Sequence, residues 1–129
     1  MIRYFLAALT GLLLTTYSFA LDSEPFSEQR FESLQAEGAL VLVDVWATWC
    51  PTCKRQREIL AEFQDEHPEV DFTILEVDFD DDKNWVKKFR APRQSTLTLY
   101  RGEEQIWFSV AETREDVIFE QLLNAAGSN

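Results

Sequence analysis

Two cysteines, Cys50 and Cys53, are the only thiols in this 129-residue chain, and Pro51 and Thr52 separate them. Residues three apart at a helix start are neighbours, within the ~4.4–6.8 Å Cα separation that a disulfide requires. The pair follows the apolar run Leu40-Val41-Leu42-Val43-Asp44-Val45-Trp46, just where helical spacing begins at Pro51. Cys50 therefore falls at a helix N-terminus, where free N–H groups and the helix dipole stabilise a thiolate. Lys54, Arg55 and Arg57 add positive charge in the first turns. Cys50 is thus the expected exposed nucleophile of low pKa, and Cys53 the inner thiol that resolves a mixed disulfide. Pro51 lacks an N–H, a loss tolerated near the first helical position. A bridge across so small a loop adds little stability, so a purely structural role explains the pair less well.

Asp44 is the second candidate. A carboxylate within a strand this apolar is costly unless it has a partner or a task. Other groups carry less. A haem attachment site requires His after the second cysteine, and Lys54 stands there. His67, beside Pro68 at a helix end, reads as a surface residue. Asp78, Asp80, Asp81 and Asp82 lack the glycine and closing glutamate of an EF-hand loop and read as a solvated acidic face. One His and two Cys are too few for a closed structural zinc site. Trp46 and Trp49 flank the cysteines as docking surface, though Trp46 suits the core equally well.

The elements that must hold these residues are legible in outline. Ser27 caps a first helix, with Phe26 and Phe31 as its hydrophobic staple and Gly38 as its stop. Leu40–Trp46 reads as a central strand buried on both faces. Ile59, Leu60 and Phe63 share one face of the helix that follows, which ends before Pro68. Val70–Val77 gives a second strand, and an Asp of the acidic loop caps a short helix with Trp85, Val86 and Phe89. Thr96–Tyr100 and Gln105–Val110 form a hairpin around Gly102. Thr113 with Asp116 opens a last helix carrying Val117, Ile118, Leu122 and Leu123. Strand–helix–strand order favours parallel pairing, and the hairpin adds an antiparallel edge. The expected architecture is α/β: a mixed sheet of about four strands with helices on both faces.

Composition limits the partners. With 12 Lys plus Arg against 23 Asp plus Glu, the net charge is −11, which repels phosphate backbones and sets nucleic-acid binding aside. The start has the layout of a secretory signal: Met1-Ile2-Arg3, an apolar run from Tyr4 to Leu14, and Ser18-Phe19-Ala20 as a cleavage site. The run is short of the ~20 residues that span a bilayer. A retained anchor is the alternative. Cleavage after Ala20 leaves one domain, residues 21–129, with charge −12, in a compartment such as the periplasm where a cysteine pair can stay oxidised.

The segment Val41-Leu42-Val43-Asp44-Val45-Trp46-Ala47-Thr48-Trp49-Cys50-Pro51-Thr52-Cys53-Lys54 resembles the active-site segment of thioredoxin-family proteins, and the likeness extends from about Phe26 to Leu123. The resemblance implies a thioredoxin-like fold and dithiol–disulfide exchange. It implies that Asp44 is the buried acid that assists proton transfer at the inner cysteine. Three departures stand out. Only Leu21 to Pro25 are left for the family's first edge strand, and Pro-Thr replaces thioredoxin's Gly-Pro between the cysteines. In the loop facing the disulfide, Ser95 falls where the family usually places a cis-proline. A non-proline cis bond costs about 2.5–4 kcal/mol, so a trans Gln94–Ser95 peptide is expected. Ser95 then either offers a hydroxyl and an N–H beside the sulfurs or is simply a strand-edge residue.

The leading reading is an exported thiol–disulfide oxidoreductase that needs no cofactor beyond the dithiol. A monomer after signal cleavage, it exchanges disulfides with partner proteins, and a membrane electron donor is a possible source of reducing power. Its docking surface comprises Trp49, Pro51, Thr52, Gln94, Ser95 and Thr96. A thiolate-stabilising helix end favours an oxidant, while the acidic surface and thioredoxin-like surroundings favour a reductant. The alternatives are a module that holds or delivers a soft metal such as Cu(I) through the same pair, and an inert domain with a permanent bridge.

Overall fold

Side chains of a strand alternate between faces, and in the run Leu40–Trp46 both sets are apolar apart from Asp44, so this strand needs cover on two sides. In the computed structural model, which describes residues 20–127, it obtains that cover. The described elements are β1 (Glu24–Pro25), α1 (Glu28–Ala36), β2 (Leu40–Trp46), α2 (Pro51–Glu66), β3 (Thr73–Asp78), α3 (Lys83–Lys88), β4 (Thr96–Arg101), β5 (Glu104–Val110) and α4 (Glu115–Gly127). They build a sheet of order β1-β3-β2-β4-β5. β1 and β2 run parallel to β3, while β4 is antiparallel to β2 and β5 to β4.

Leu40 and Leu42 pack with Ile59, Leu60 and Phe63 of α2 and with Ile118, Leu122 and Ala125 of α4. Val41, Val43 and Val45 point the other way, against Phe31 and Leu34 of α1 and Val86 of α3. The alternation places Asp44 on the α2 side of the sheet.

The sheet has five described strands instead of the expected four. Two residues suffice for the extra one: Glu24 and Pro25 pair with Leu75 and Glu76, and the Phe26 N–H donates to Glu76 O at 2.9 Å. The leader assigned to residues 1–20 lies outside the described residues except for Ala20. Among the described residues no helix is long and apolar enough to cross a membrane.

The capping signals have mixed outcomes. Ser27 accepts the Arg30 N–H at 3.2 Å, and the Phe26 and Phe31 rings lie 5.6 Å apart, as the staple requires. Gly38 and Gly102 take φ of +69° and +57°, as the helix stop and hairpin turn demand. Asp82 is the N-cap of α3, but its side chain makes no cap bond and accepts the Asp78 N–H at 3.0 Å instead. The last helix begins at Glu115, and Ile118 N–H bonds to Arg114 O, so Arg114 holds the cap position, one residue past the Thr113 that a box with Asp116 requires. Glu112 takes the local role by accepting the Arg114 N–H at 2.9 Å. Replacing Ser27 with Ala removes the working cap, and urea denaturation is expected to show a loss of about 1 kcal/mol.

Candidate active site

The chain leaves β2 at Trp46, turns through Ala47, Thr48 and Trp49, and enters α2 with Cys50 as N-cap and Pro51 in the first turn. The cap position has extended backbone and directs its side chain back over the helix start. Cys50 Sγ accordingly accepts the Cys53 N–H at 3.1 Å. The two cysteines form a disulfide with a Cα–Cα separation of 5.3 Å. An N–H donor on Cys50 Sγ favours the charged form when the pair is reduced.

The structure corrects the expectation of an exposed nucleophile. Cys50 is only 4% exposed and Cys53 only 1%. Ala47 packs with both cysteines, Trp46 and Phe79 lie against them, and Ser95 closes the other side. The sulfurs border a cavity of about 390 Å³ lined by Leu21, Trp46, Lys54, Arg57 and neighbours on α2. Around this centre, Trp49 is 57% exposed, Pro51 is exposed, and Thr52 and Gln94 are half-buried. Thr96 is buried, its hydroxyl donating to Arg93 O at 2.7 Å, so it faces inward and does not belong to an open docking surface.

The acidic loop is also more than a solvated face. Trp49 Nε1 donates to the Asp80 carboxylate at 2.7 Å, and Asp78 accepts the N–H groups of Asp80 and Asp81. The indole beside the disulfide is therefore tethered by a loop that follows β3.

Ser95 lies against the sulfurs. Its Oγ is 3.1 Å from Cys50 Sγ and 3.2 Å from Cys53 Sγ, and the residue is fully buried. Among the described residues no peptide bond is cis, and Ser95 has φ of +66°. The hydroxyl is where the first of the two expectations puts it, but the N–H is not on offer. It donates to Val45 O at 2.8 Å. The carbonyl of Ser95 accepts from Ala111 N at 2.9 Å and from Gln56 Nε2 at 3.1 Å.

Asp44 has no exposed surface. Burial pushes its carboxyl up to about 7; the Arg57 guanidinium opposes this, and Glu76 adds to it. Arg57 Nη1 lies 3.4 Å from Asp44 Oδ2 and 2.6 Å from Glu76 Oε1, with its guanidinium 4.6 Å from the Trp46 ring. Asp44 Oδ1 has no hydrogen-bond partner among the described residues.

Sequence reasoning missed four of these residues. Arg57 counts there only as positive charge near the helix start, whereas it bridges two carboxylates. Glu76 enters because β2 and β3 pair in the register that sets Asp44 opposite it. Gln56 and Asp80 likewise act across the fold. The spacing of Arg57, four residues past Cys53 and so on the same helix face, is the one signal that points to it. Among the described residues no three His, Cys, Asp or Glu side chains cluster as metal ligands.

A family model described as Thioredoxin matches residues 22–124. The chain is 33% identical over 77 residues to Thioredoxin-1 of Saccharomyces cerevisiae, covering 60% of this chain and 73% of that protein. It is 28% identical over 104 residues to the thiol:disulfide interchange protein DsbE of Escherichia coli, covering 69% of this chain but only 53% of the relative. The chain thus spans about half the length of that second relative. Among solved structures, Trxlp from Edwardsiella tarda superposes with a TM-score of 0.73 at 40% identity, covering 78% of this chain and 97% of that one. A thioredoxin mutant from Halobacterium salinarum, 18% identical with a TM-score of 0.72 over 88% of this chain and 98% of its own, shares the fold.

Proposed function

The chain belongs to the thioredoxin family, and from that premise we propose that it is an exported thiol–disulfide oxidoreductase acting on partner proteins through Cys50 and Cys53. Family membership and the Cys-x-x-Cys pair support thiol–disulfide oxidoreductase activity. The observation that carries the reading is the disulfide at the start of α2, with Cys50 Sγ accepting a helix-end N–H. Cys50 is the sulfur that forms the mixed disulfide, and Cys53, deeper by burial, is the one that resolves it. Asp44, held neutral or ionised near pH 7, exchanges a proton with the centre. Trp49, tethered but exposed, and Pro51, Thr52 and Gln94 form the rim that a partner meets. Export rests on the leader pattern of residues 1–20, which also supports a periplasmic site and a soluble mature form.

Equilibration of the protein against reduced and oxidised glutathione tests this, with Cys53→Ser as the control that cannot close a ring. Reversible two-electron exchange is expected, with a potential between about −270 mV, typical of a reductant, and about −120 mV, typical of a strong oxidant. A pair that never exchanges overturns the reading.

A further inference from the structure

The fully buried Ser95 hydroxyl lies within hydrogen-bonding distance of both sulfurs, and among the described residues those sulfurs are its only hydrogen-bond partners. A hydroxyl carries one proton to donate, and a disulfide sulfur is a weak acceptor, so this donor is poorly used in the oxidised state. A thiolate in the same place is a much stronger acceptor, because hydrogen bonds to charged groups are roughly twice as strong as neutral ones.

The backbone shows that the position is enforced. A serine at φ +66° occupies the left-handed region, which is unfavourable for any residue with a Cβ. It is held there by three bonds that use both of its backbone groups: N–H to Val45 O, and carbonyl to Ala111 N and Gln56 Nε2. Gln56, itself fully buried on α2, also donates to Glu112 O at 2.9 Å and so ties the loop to the cysteine helix. Strain held this firmly next to reacting atoms points to a placed side chain.

Resting on the exchange chemistry above, we propose that the Ser95 hydroxyl is a third member of the redox centre: it donates to whichever sulfur leaves as thiolate and thereby makes the pair more oxidising. A partner thiolate attacks Cys50 Sγ, the Cys50–Cys53 bond breaks, and Cys53 departs with the electron pair, accepting the Ser95 O–H. The partner's second thiolate then attacks the partner sulfur of the mixed disulfide. That bond breaks, Cys50 departs as thiolate, and the same hydroxyl turns to it. The partner dithiol is oxidised to a disulfide, and the pair is reduced by two electrons. The near-equal distances of 3.1 and 3.2 Å allow one hydroxyl to serve both steps by rotation about its Cβ–Oγ bond.

Ser95→Gly and Ser95→Ala test the assignment together, since both lack the hydroxyl while glycine takes the left-handed backbone without cost. Two quantities are read: the glutathione-coupled equilibrium, and the pH at which the Cys50 thiolate absorbs near 240 nm in the reduced protein. The charged groups of the site, Lys54, Arg57 and Glu58 of α2 on the cavity that borders the sulfurs and Asp44 and Glu76 of the sheet paired to Arg57, are unchanged in both variants. Each variant is expected to shift the equilibrium about tenfold toward the disulfide, about 30 mV more negative, and to move thiolate formation to higher pH. If Ser95→Gly keeps the wild-type equilibrium and titration, or if only the alanine variant shifts, the hydroxyl has no such role. Should the wild-type pair fail to exchange with glutathione at all, the oxidoreductase reading falls instead, and the thiolate titration still decides the role of Ser95.

Discussion

Cys50→Ala is expected to lower disulfide exchange with a protein substrate by three orders of magnitude or more, to the uncatalysed rate. Cys53→Ala has a different signature: the first attack proceeds and the mixed disulfide then accumulates. The asymmetry follows from position. Cys50 is the helix cap whose sulfur receives the Cys53 N–H, so its thiolate is the stabilised one. Cys53 sits one turn into α2 with 1% exposure against 4% for Cys50, and is bonded to it. Mass spectrometry of each variant after mixing with an oxidised partner separates the roles. A covalent adduct with Cys53→Ala and none with Cys50→Ala is the expected pattern. The reverse pattern means that the deeper sulfur attacks first, and adducts with neither mean that the buried pair is closed to proteins.

That second possibility gives the burial of Cys50 its interest. The helix-end position of the cysteine is a local property, readable from the strand-to-helix change at residues 40–54. Its 4% exposure is not local, because it depends on the Ser95 loop arriving from 45 residues further along the chain. The sequence offers Ser95 as either a group beside the sulfurs or a strand-edge residue. The choice depended on where the first residue of β4 pairs with β2, namely Thr96 opposite Val45. Register of this kind is set by tertiary packing and leaves no mark on a single sequence.

The same division runs through the fold. α2 could be read from Ile59, Leu60 and Phe63 because an amphipathic helix repeats its signal over several turns. The two-residue β1 has no periodicity to read, and its existence rests on pairing with β3. Asp44 stood out as an acid in an apolar strand, yet its partner could not be named. Arg57 and Glu76 come from different elements, and Glu76 also accepts from the Ser23 hydroxyl. A buried charge announces that it needs a partner without saying which residue provides it.

Asp44→Asn is expected to make the oxidised protein more stable at pH 8 while changing it little at pH 4. Asp44 is completely buried, and its carboxyl is pushed from an ordinary value of 3.8 up to about 7, chiefly by desolvation. Below about pH 4 both the folded and the unfolded chain carry the proton, and the site imposes no electrostatic cost. Between about 4 and 7 the unfolded chain has released it and the folded chain still holds it. The folded state then binds more protons, so stability falls as pH rises through this window and levels off above 7. A displacement from 3.8 to about 7 corresponds to a penalty of about 4 kcal/mol at high pH. An amide has no proton to lose and escapes most of it. A gain of about 2–4 kcal/mol at pH 8 over wild type is the expected result, read from urea midpoints at pH 4, 6 and 8. Arg57→Gln acts in the opposite sense: it removes the cation that lowers the Asp44 pKa, so the fall in stability extends to higher pH. If the Asn variant is equally displaced from wild type at all three pH values, Asp44 does not titrate in this range and cannot exchange a proton with the centre near neutrality. The penalty is thus the cost of burying a carboxyl whose charge the native state does not hold comfortably, and the proton exchange proposed for Asp44 requires that cost to appear in this pH window.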